Sequence, residues 1–196
     1  RHTAGGRIRF ATDSPYIAIR VLMHVEPPKP HMTLCCQAGF DLYRRDEQGQ
    51  YRHERTFVPP VRMTDGYEYI TDVSGKNTEY MFHLPLYNGI EKLYIGIQKG
   101  ASLRQGQPYR HLRPIIFYGS SITQGGCASR PGNAYEALLS RELDTDFINL
   151  GFSGNAYGEP AMAEYLGSLD MSVFVCDYDH NAPNPEHLQN THRNFY

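Results

Sequence analysis

Three short segments carry residue types that can do chemistry. The first reads Gly119, Ser120, Ser121, Ile122, Thr123, Gln124, Gly125 and Gly126. A phosphate cradle of the Walker type needs Lys and then Ser or Thr after its last glycine, and Gly126 and Cys127 stand there instead. The glycine offsets also miss the dinucleotide fingerprint. Thr123 occupies the place where a Gly-x-Ser-x-Gly elbow needs its second glycine. What remains is a pair of hydroxyls, which the pattern leaves equally open to capping a helix and to acting as a nucleophile. The second segment, residues 149–155 (NLGFSGN), brings two glycines beside small polar side chains. Glycine permits the close backbone approach that an oxyanion-binding amide requires, and it equally serves a turn of positive φ. The third segment, residues 177–183 (DYDHNAP), is unusually polar for the end of an apolar run. Its plain structural role is a capped turn before a helix starting near Pro185.

These segments need elements that bring them to one place. Pro114 to Tyr118 (PIIFY), Asp146 to Leu150 (DFINL) and Ser172 to Cys176 (SVFVC) are short apolar runs. Between them lie helical stretches near Ala161 to Leu166 and from Asn133 to Leu143, the latter with Ala134, Ala137, Leu138 and Leu143 at helical spacing. Strand, helix, strand, helix, strand predicts parallel pairing with crossovers and a covered sheet. Ligands bind outside the carboxyl ends of such strands. The loops after Tyr118, Leu150 and Cys176 are the three segments above.

Upstream, to about Gly100, the apolar residues come in short alternating or β-branched runs. Tyr16 to Val25, Met32 to Ala38, Phe40 to Arg44, Glu79 to Leu84 and Leu93 to Ile97 are expected strands. Breakers separate them at Pro27, Pro28 and Pro30, at Gln48–Gly49, at Pro59–Pro60 and at Asn88–Gly89. An antiparallel β-sandwich is the expected solution, followed by a polar connector from Lys99 to Arg113. The predicted domains are residues 1–108 and 109–196.

With 19 Lys plus Arg against 21 Asp plus Glu, the formal charge of −2 leaves no basic surplus for a run of phosphates, so nucleic acid is not an expected partner. Apolar stretches such as Val173 to Cys176 fall far short of the roughly 20 residues that cross a bilayer. Cys35, Cys36, Cys127 and Cys176 read as mostly free thiols, which leans towards the cytoplasm. The first residue is Arg1, and no signal-peptide pattern follows it. The expectation is a chain that is processed, cut or part of a longer one.

At the three loops the second half resembles the SGNH-type, GDSL-like esterases. That family's first block reads Gly-Asp-Ser-Leu or a variant, and Gly119, Ser120, Ser121 and Ile122 match it with Ser120 in place of Asp. The resemblance makes Ser121 the catalytic nucleophile and its amide one oxyanion donor. It makes the Gly154 amide a second donor and the Asn181 side chain a third, although the usual Gly-x-Asn-Asp around that Asn is absent. Gly39, Phe40, Asp41, Leu42 and Tyr43 match the Gly-x-Asp-Leu-Tyr signature of a β-sandwich that precedes the catalytic domain in one branch. Asp41 and Tyr43 are read as structural. The implied fold is this sandwich followed by a flavodoxin-like, three-layer α/β domain that is incomplete at its C-terminus.

Acyl transfer by Ser needs a His base and usually a carboxylate to orient it. In the family both come from an Asp-x-x-His segment beyond the last strand, so they are expected C-terminal to Tyr196, and residues 1–196 alone are not expected to turn over esters. The literal Asp177-x-x-His180 match falls where the family places the oxyanion Asn and is read as accidental. His180 and Arg130 are candidate substrate contacts, with a surface ion pair the plain alternative for Arg130. His187 and His192, five apart, do not share a helix face and are read as solvent-facing or interface residues. Asp177, Asp179 and His180 do not make a full ligand set, so neither metal nor cofactor is expected. The implied activity is a serine esterase acting on a short acyl ester of a carbohydrate or small molecule. The alternative is a non-catalytic glycan- or protein-binding module carrying a remnant hydrolase domain. Oligomeric state is not legible.

Overall fold

The computed structural model describes residues 2–195, apart from the side chain of Asn194. The first half comprises β1 (Arg7–Thr12), β2 (Tyr16–His24), α1 (Leu34–Ala38), β3 (Phe40–Arg45), β4 (Tyr51–Phe57), β5 (Gly66–Asp72), β6 (Thr78–His83), β7 (Gly89–Gly96) and β8 (Leu103–Gln105). Two antiparallel sheets form, with strand orders β4-β3-β6-β1-β8 and β5-β2-β7. The alternation of β2 explains why they pack. Ile17, Ile19, Val21 and Met23 point inward while Arg20 and His24 stay exposed. Those four meet Phe10, Phe40, Leu42, Phe57, Tyr80 and Phe82 of the larger sheet in one core.

The second half comprises β9 (His111–Gly119), α2 (Ser121–Gln124), α3 (Tyr135–Leu143), β10 (Thr145–Gly151), α4 (Pro160–Gly167), β11 (Val173–Asp177) and α5 (Pro185–His192). The strands β10, β9 and β11 are parallel, with β9 central. Ala134 and Ala137, at and near the start of α3, pack with Ile115, Phe117 and Phe147 on one face of the sheet. Leu166 of α4 and Leu188 of α5 pack with Ile116, Tyr118 and Tyr178 on the other. The first of these clusters also takes in Cys36, Leu86 and Tyr87, so the two halves share a core along their seam.

Two expectations are corrected. Met32 to Ala38 is not a strand, because Thr33 caps α1 by accepting the Cys36 amide at 3.0 Å and Gly39 closes it by donating to the Cys35 carbonyl. A short apolar run cannot be told from a buried helical turn by its pattern alone. On α3 the buried stripe runs through Glu136, Ala137 and Ser140, leaving Leu138 and Leu143 about half exposed, at 49% and 48%. The connector also contains more structure than its polarity suggests, since β8 pairs with β1 and β9 begins at His111. Among the described residues no helix is long and apolar enough to cross a membrane, and all four cysteines are free.

Candidate active site

The carboxyl ends of the three parallel strands are tied together by backbone hydrogen bonds. The Ser120 amide donates to the Asp177 carbonyl at 2.9 Å, joining the end of β9 to the end of β11. The Phe152 amide donates to the Gly119 carbonyl at 2.8 Å, joining the loop after β10 to the end of β9. Asn181 Nδ2 donates to the Phe152 carbonyl at 3.2 Å, joining the third loop to the second. The three segments singled out by residue type therefore form one edge.

The two serines differ in burial and in partners. Ser120 is 1% exposed and caps α2, its Oγ accepting the Ile122 amide at 3.2 Å. Ser121 is the first residue of α2 and is partly exposed. Its amide is one of the donors that a helix start leaves without an intrahelical acceptor. Its carbonyl is held by the Tyr87 hydroxyl at 3.2 Å and by the Gly126 amide at 2.7 Å.

Two glycines of the second loop have opposite reasons for being glycine. A Cβ on Gly151 would lie 2.1 Å from the Gln124 amide nitrogen, so α2 and the end of β10 are in backbone contact. Gly154 has nothing within 4 Å of its Cβ position but adopts φ +70°, which favours glycine. Its surroundings are open, and its amide donates to no described backbone or side-chain acceptor. With the Ser121 amide and the Asn181 side chain, this edge offers amide donors of the kind that stabilise a developing oxyanion.

Asn181 closes a short 3-10 turn from Asp179. Asp177, Asp179 and His180 bring one ligand atom each within 4.8 Å of one another, a group that could touch a cation. Burial, then the charge of Asp179, raises the Asp177 carboxyl above its ordinary range. His180 is exposed. His187 lies on α5, with Nε2 2.7 Å from the Tyr157 carbonyl, and His192 sits at the exposed end of the same helix beside Tyr178. Burial pushes the thiols of Cys36 and Cys176 up to about 11, so neither is a thiolate near neutral pH.

Arg130 lies between α2 and α3, and its Nη1 donates to Asp41 Oδ2 at 2.8 Å and to the Tyr43 hydroxyl at 2.7 Å. Asp41 Oδ2 also accepts the Gly132 amide at 2.7 Å. In this structure Arg130 is engaged at the seam between the two halves. No role was read from the sequence for Gln124 or Tyr87, yet both touch the site. For Gln124 the sequence signal is its place three residues after Ser121 in the glycine-flanked segment; Tyr87 carries none.

Against known proteins, residues 112–196 match the GDSL-like lipase/acylhydrolase family and residues 1–103 match the N-terminus of the SGNH-hydrolase-type esterases, the domain with the GxDLY motif. The chain belongs to this family of GDSL-like, SGNH-type esterases. It superposes on a Bacteroides ovatus protein described as a GDSL-like lipase with 34% identity and a TM-score of 0.90, over 99% of this chain and 56% of that one. It shares the fold of the salicylyl-acyltransferase SsfX3 from a tetracycline biosynthetic pathway, at 22% identity and a TM-score of 0.73 over 92% of this chain and 49% of that one. A family two carbohydrate esterase from Clostridium thermocellum, in complex with cellohexaose, aligns at 11% identity and a TM-score of 0.55, over 96% of this chain and 67% of that one. The chain thus spans about half the length of the first two structures. No curated protein matched it.

Proposed function

We propose that this chain carries the nucleophile and oxyanion site of a serine esterase that hydrolyses a short-chain acyl ester of a carbohydrate or small molecule. The observation that carries the reading is the position of Ser121. It begins a helix at the carboxyl edge of a parallel sheet, with the Gly154 and Asn181 loops hydrogen-bonded into the same edge. The two antiparallel sheets are the β-sandwich of the GxDLY branch, and the parallel half is the first portion of a three-layer α/β domain.

Ser121 Oγ attacks the ester carbonyl, and its proton passes to a histidine base. That base is assigned to the Asp-x-x-His segment of the family rather than to His180, His187 or His192. The tetrahedral oxyanion is held by the Ser121 and Gly154 amides and by Asn181. Asn181 has two N–H bonds, so it can keep one on Phe152 while the other meets the oxyanion. Collapse expels the alcohol, which takes the proton back from the histidine and leaves Ser121 acylated. Water, giving a proton to the same base, then attacks the acyl carbonyl, and the proton returns to Ser121 Oγ as the acid departs. His180, exposed beside Asn181, and Arg130 remain proposed substrate contacts, the latter only if it turns from Asp41. The carbohydrate esterase among the structures of like fold is in keeping with a sugar ester as substrate.

The test is a panel of short-chain aryl esters and acetylated sugars assayed with the complete protein. Turnover that falls by about 10⁴-fold or more in Ser121→Ala supports the reading. Turnover unchanged by that substitution contradicts it.

A further inference from the structure

The helix that presents Ser121 is only four residues long, from Ser121 to Gln124. A helix of that length does not hold itself together, so its position is set by what it touches. The side chain of Gln124 touches three separate pieces of the molecule. It is almost fully buried, and its Oε1 accepts the Ser153 amide at 3.0 Å. Its Nε2 donates to the Leu86 carbonyl at 2.9 Å and lies 2.8 Å from His2 Nδ1. These partners leave no freedom in the orientation of the amide: an N–H must meet the oxygen and a carbonyl must meet the nitrogen.

Ser153 directly precedes Gly154. The Gly154 turn has no packing at its Cβ position, so hydrogen bonds rather than side-chain contacts set where its amide points. Within the turn, the Asn155 amide donates to the Phe152 carbonyl and Asn155 Nδ2 to the Ser153 carbonyl, both at 2.8 Å. The turn as a unit is tied outward by the Gln124–Ser153 link and by bonds from Phe152 to Gly119 and from Asn181 to Phe152. Leu86 and His2 belong to the antiparallel half, as does Tyr87, whose hydroxyl holds the Ser121 carbonyl. One buried amide therefore connects the Ser121 helix, the Gly154 loop and the antiparallel half.

We propose that Gln124 is a positioning residue, which clamps the loop carrying the Gly154 amide to the helix carrying Ser121 and references both to the antiparallel half. This rests on the serine-esterase reading of the same site. On this account the N-terminal half is the back wall of the catalytic geometry. Gln124 touches no reacting atom and acts through the Ser153 N–H, in the peptide directly before the one that carries the Gly154 amide. Losing the clamp displaces an oxyanion donor without removing it, and a misplacement of about 1 Å can cost on the order of 10²-fold in rate.

The experiment compares complete wild-type protein with Gln124→Met and Gln124→Glu on an aryl acetate. Gln124→Met keeps length and apolar bulk but makes none of the bonds, and kcat falls by roughly 10- to 100-fold while KM changes less than about threefold. A protonated Glu keeps an acceptor for the Ser153 amide and its single O–H for the Leu86 carbonyl, giving up the second N–H that faces His2, whose basicity burial lowers. A carboxylate faces the Leu86 carbonyl with no proton to give. The kcat of Gln124→Glu relative to wild type at the same pH therefore rises as pH is lowered from about 8.5 to 5.5. The kcat is taken per folded active site, counted by fluorophosphonate labelling, so that a merely structural loss of folded protein at high pH does not produce that ratio. A Gln124→Met kcat within about twofold of wild type, a loss confined to KM, or a flat Gln124→Glu ratio overturns the proposal. If Ser121→Ala is inactive in the same assay, such a result leaves the esterase reading standing. If Ser121→Ala retains full activity, it is that reading which fails.

Discussion

Asp41 of β3 accepts the guanidinium of Arg130 at 2.8 Å across the seam between the antiparallel and parallel halves. The Asp41 side chain is fully buried, whereas that of Arg130 keeps 23% exposure. Oδ2 of the same carboxylate accepts the Gly132 amide, and Oδ1 accepts the Thr56 hydroxyl at 2.7 Å. The aspartate of the Gly-x-Asp-Leu-Tyr signature thus anchors the loop that leads from α2 to α3. Tyr43, two residues on, stacks under Arg141 at 4.1 Å and contacts Arg130.

The asymmetry in exposure sets the energetics of this pair. Arg130→Met leaves a buried carboxylate without its counter-charge and destabilises the protein by about 3–5 kcal/mol. Adding Asp41→Asn removes the stranded charge, so the double variant is more stable than Arg130→Met alone. Urea denaturation of the three variants checks this. A double variant whose loss equals the sum of the single losses would show that the two groups do not interact.

A second prediction concerns the buried carboxyl of Glu136. Both its oxygens lack hydrogen-bond partners among the described residues, and burial pushes it up to about 8 from an ordinary 4.5. The folded protein then holds a proton that the unfolded chain has released, so this group's contribution to stability falls as pH rises from 4.5 to about 8 and is level outside that window. The slope is at most about 1.4 kcal/mol per pH unit. Melting temperature measured across this range declines for wild type, and the decline is smaller in Glu136→Gln. Identical slopes would mean that Glu136 is not protonated in the folded state.

Glu136 also illustrates where the sequence is silent. Apolar spacing on α3 points to Leu138 and Leu143, yet the stripe against the sheet contains a carboxyl, an alanine and a serine. Which face a helix buries depends on which neighbours it meets, and periodicity within the helix does not contain that information. Strands β2, β3, β6 and β7, the three parallel strands and the three loops are legible because alternation, β-branched runs and glycine-rich segments are local signals. β1, β4 and β5, with sequences RIRFAT, YRHERTF and GYEYITD, interleave their apolar residues with charged ones and are not among the expected strands, although Phe10 of β1 and Phe57 of β4 enter the core. Arg130 could be read equally as ion pair or substrate contact, since its partner Asp41 lies 89 residues away. The hub at Gln124 depends on Leu86, Ser153 and His2, which no spacing rule brings together.

Asn181 is predicted to act mainly on the transition state. Asn181→Ala lowers kcat by about 10²–10³-fold with a much smaller change in KM, because its second N–H meets charge that develops only during reaction. His180→Ala is the control. Steady-state kinetics on one aryl ester distinguish the two, and an Asn181 effect confined to KM would show that it only binds the substrate. A loss in His180→Ala as deep as that of Ser121→Ala would promote Asp177 and His180 to catalytic partners.

The central claim is that Ser121, rather than Ser120, is the reacting hydroxyl, and covalent labelling tests it most directly. The complete protein is treated with a fluorophosphonate and the modified peptide is identified by mass spectrometry. The account predicts one label, on Ser121, retained in Ser120→Ala although loss of the helix cap costs that variant about 1 kcal/mol of stability. Ser121→Ala is predicted to take up no label. Labelling that persists in Ser121→Ala, or that disappears only in folded Ser120→Ala, would contradict the account.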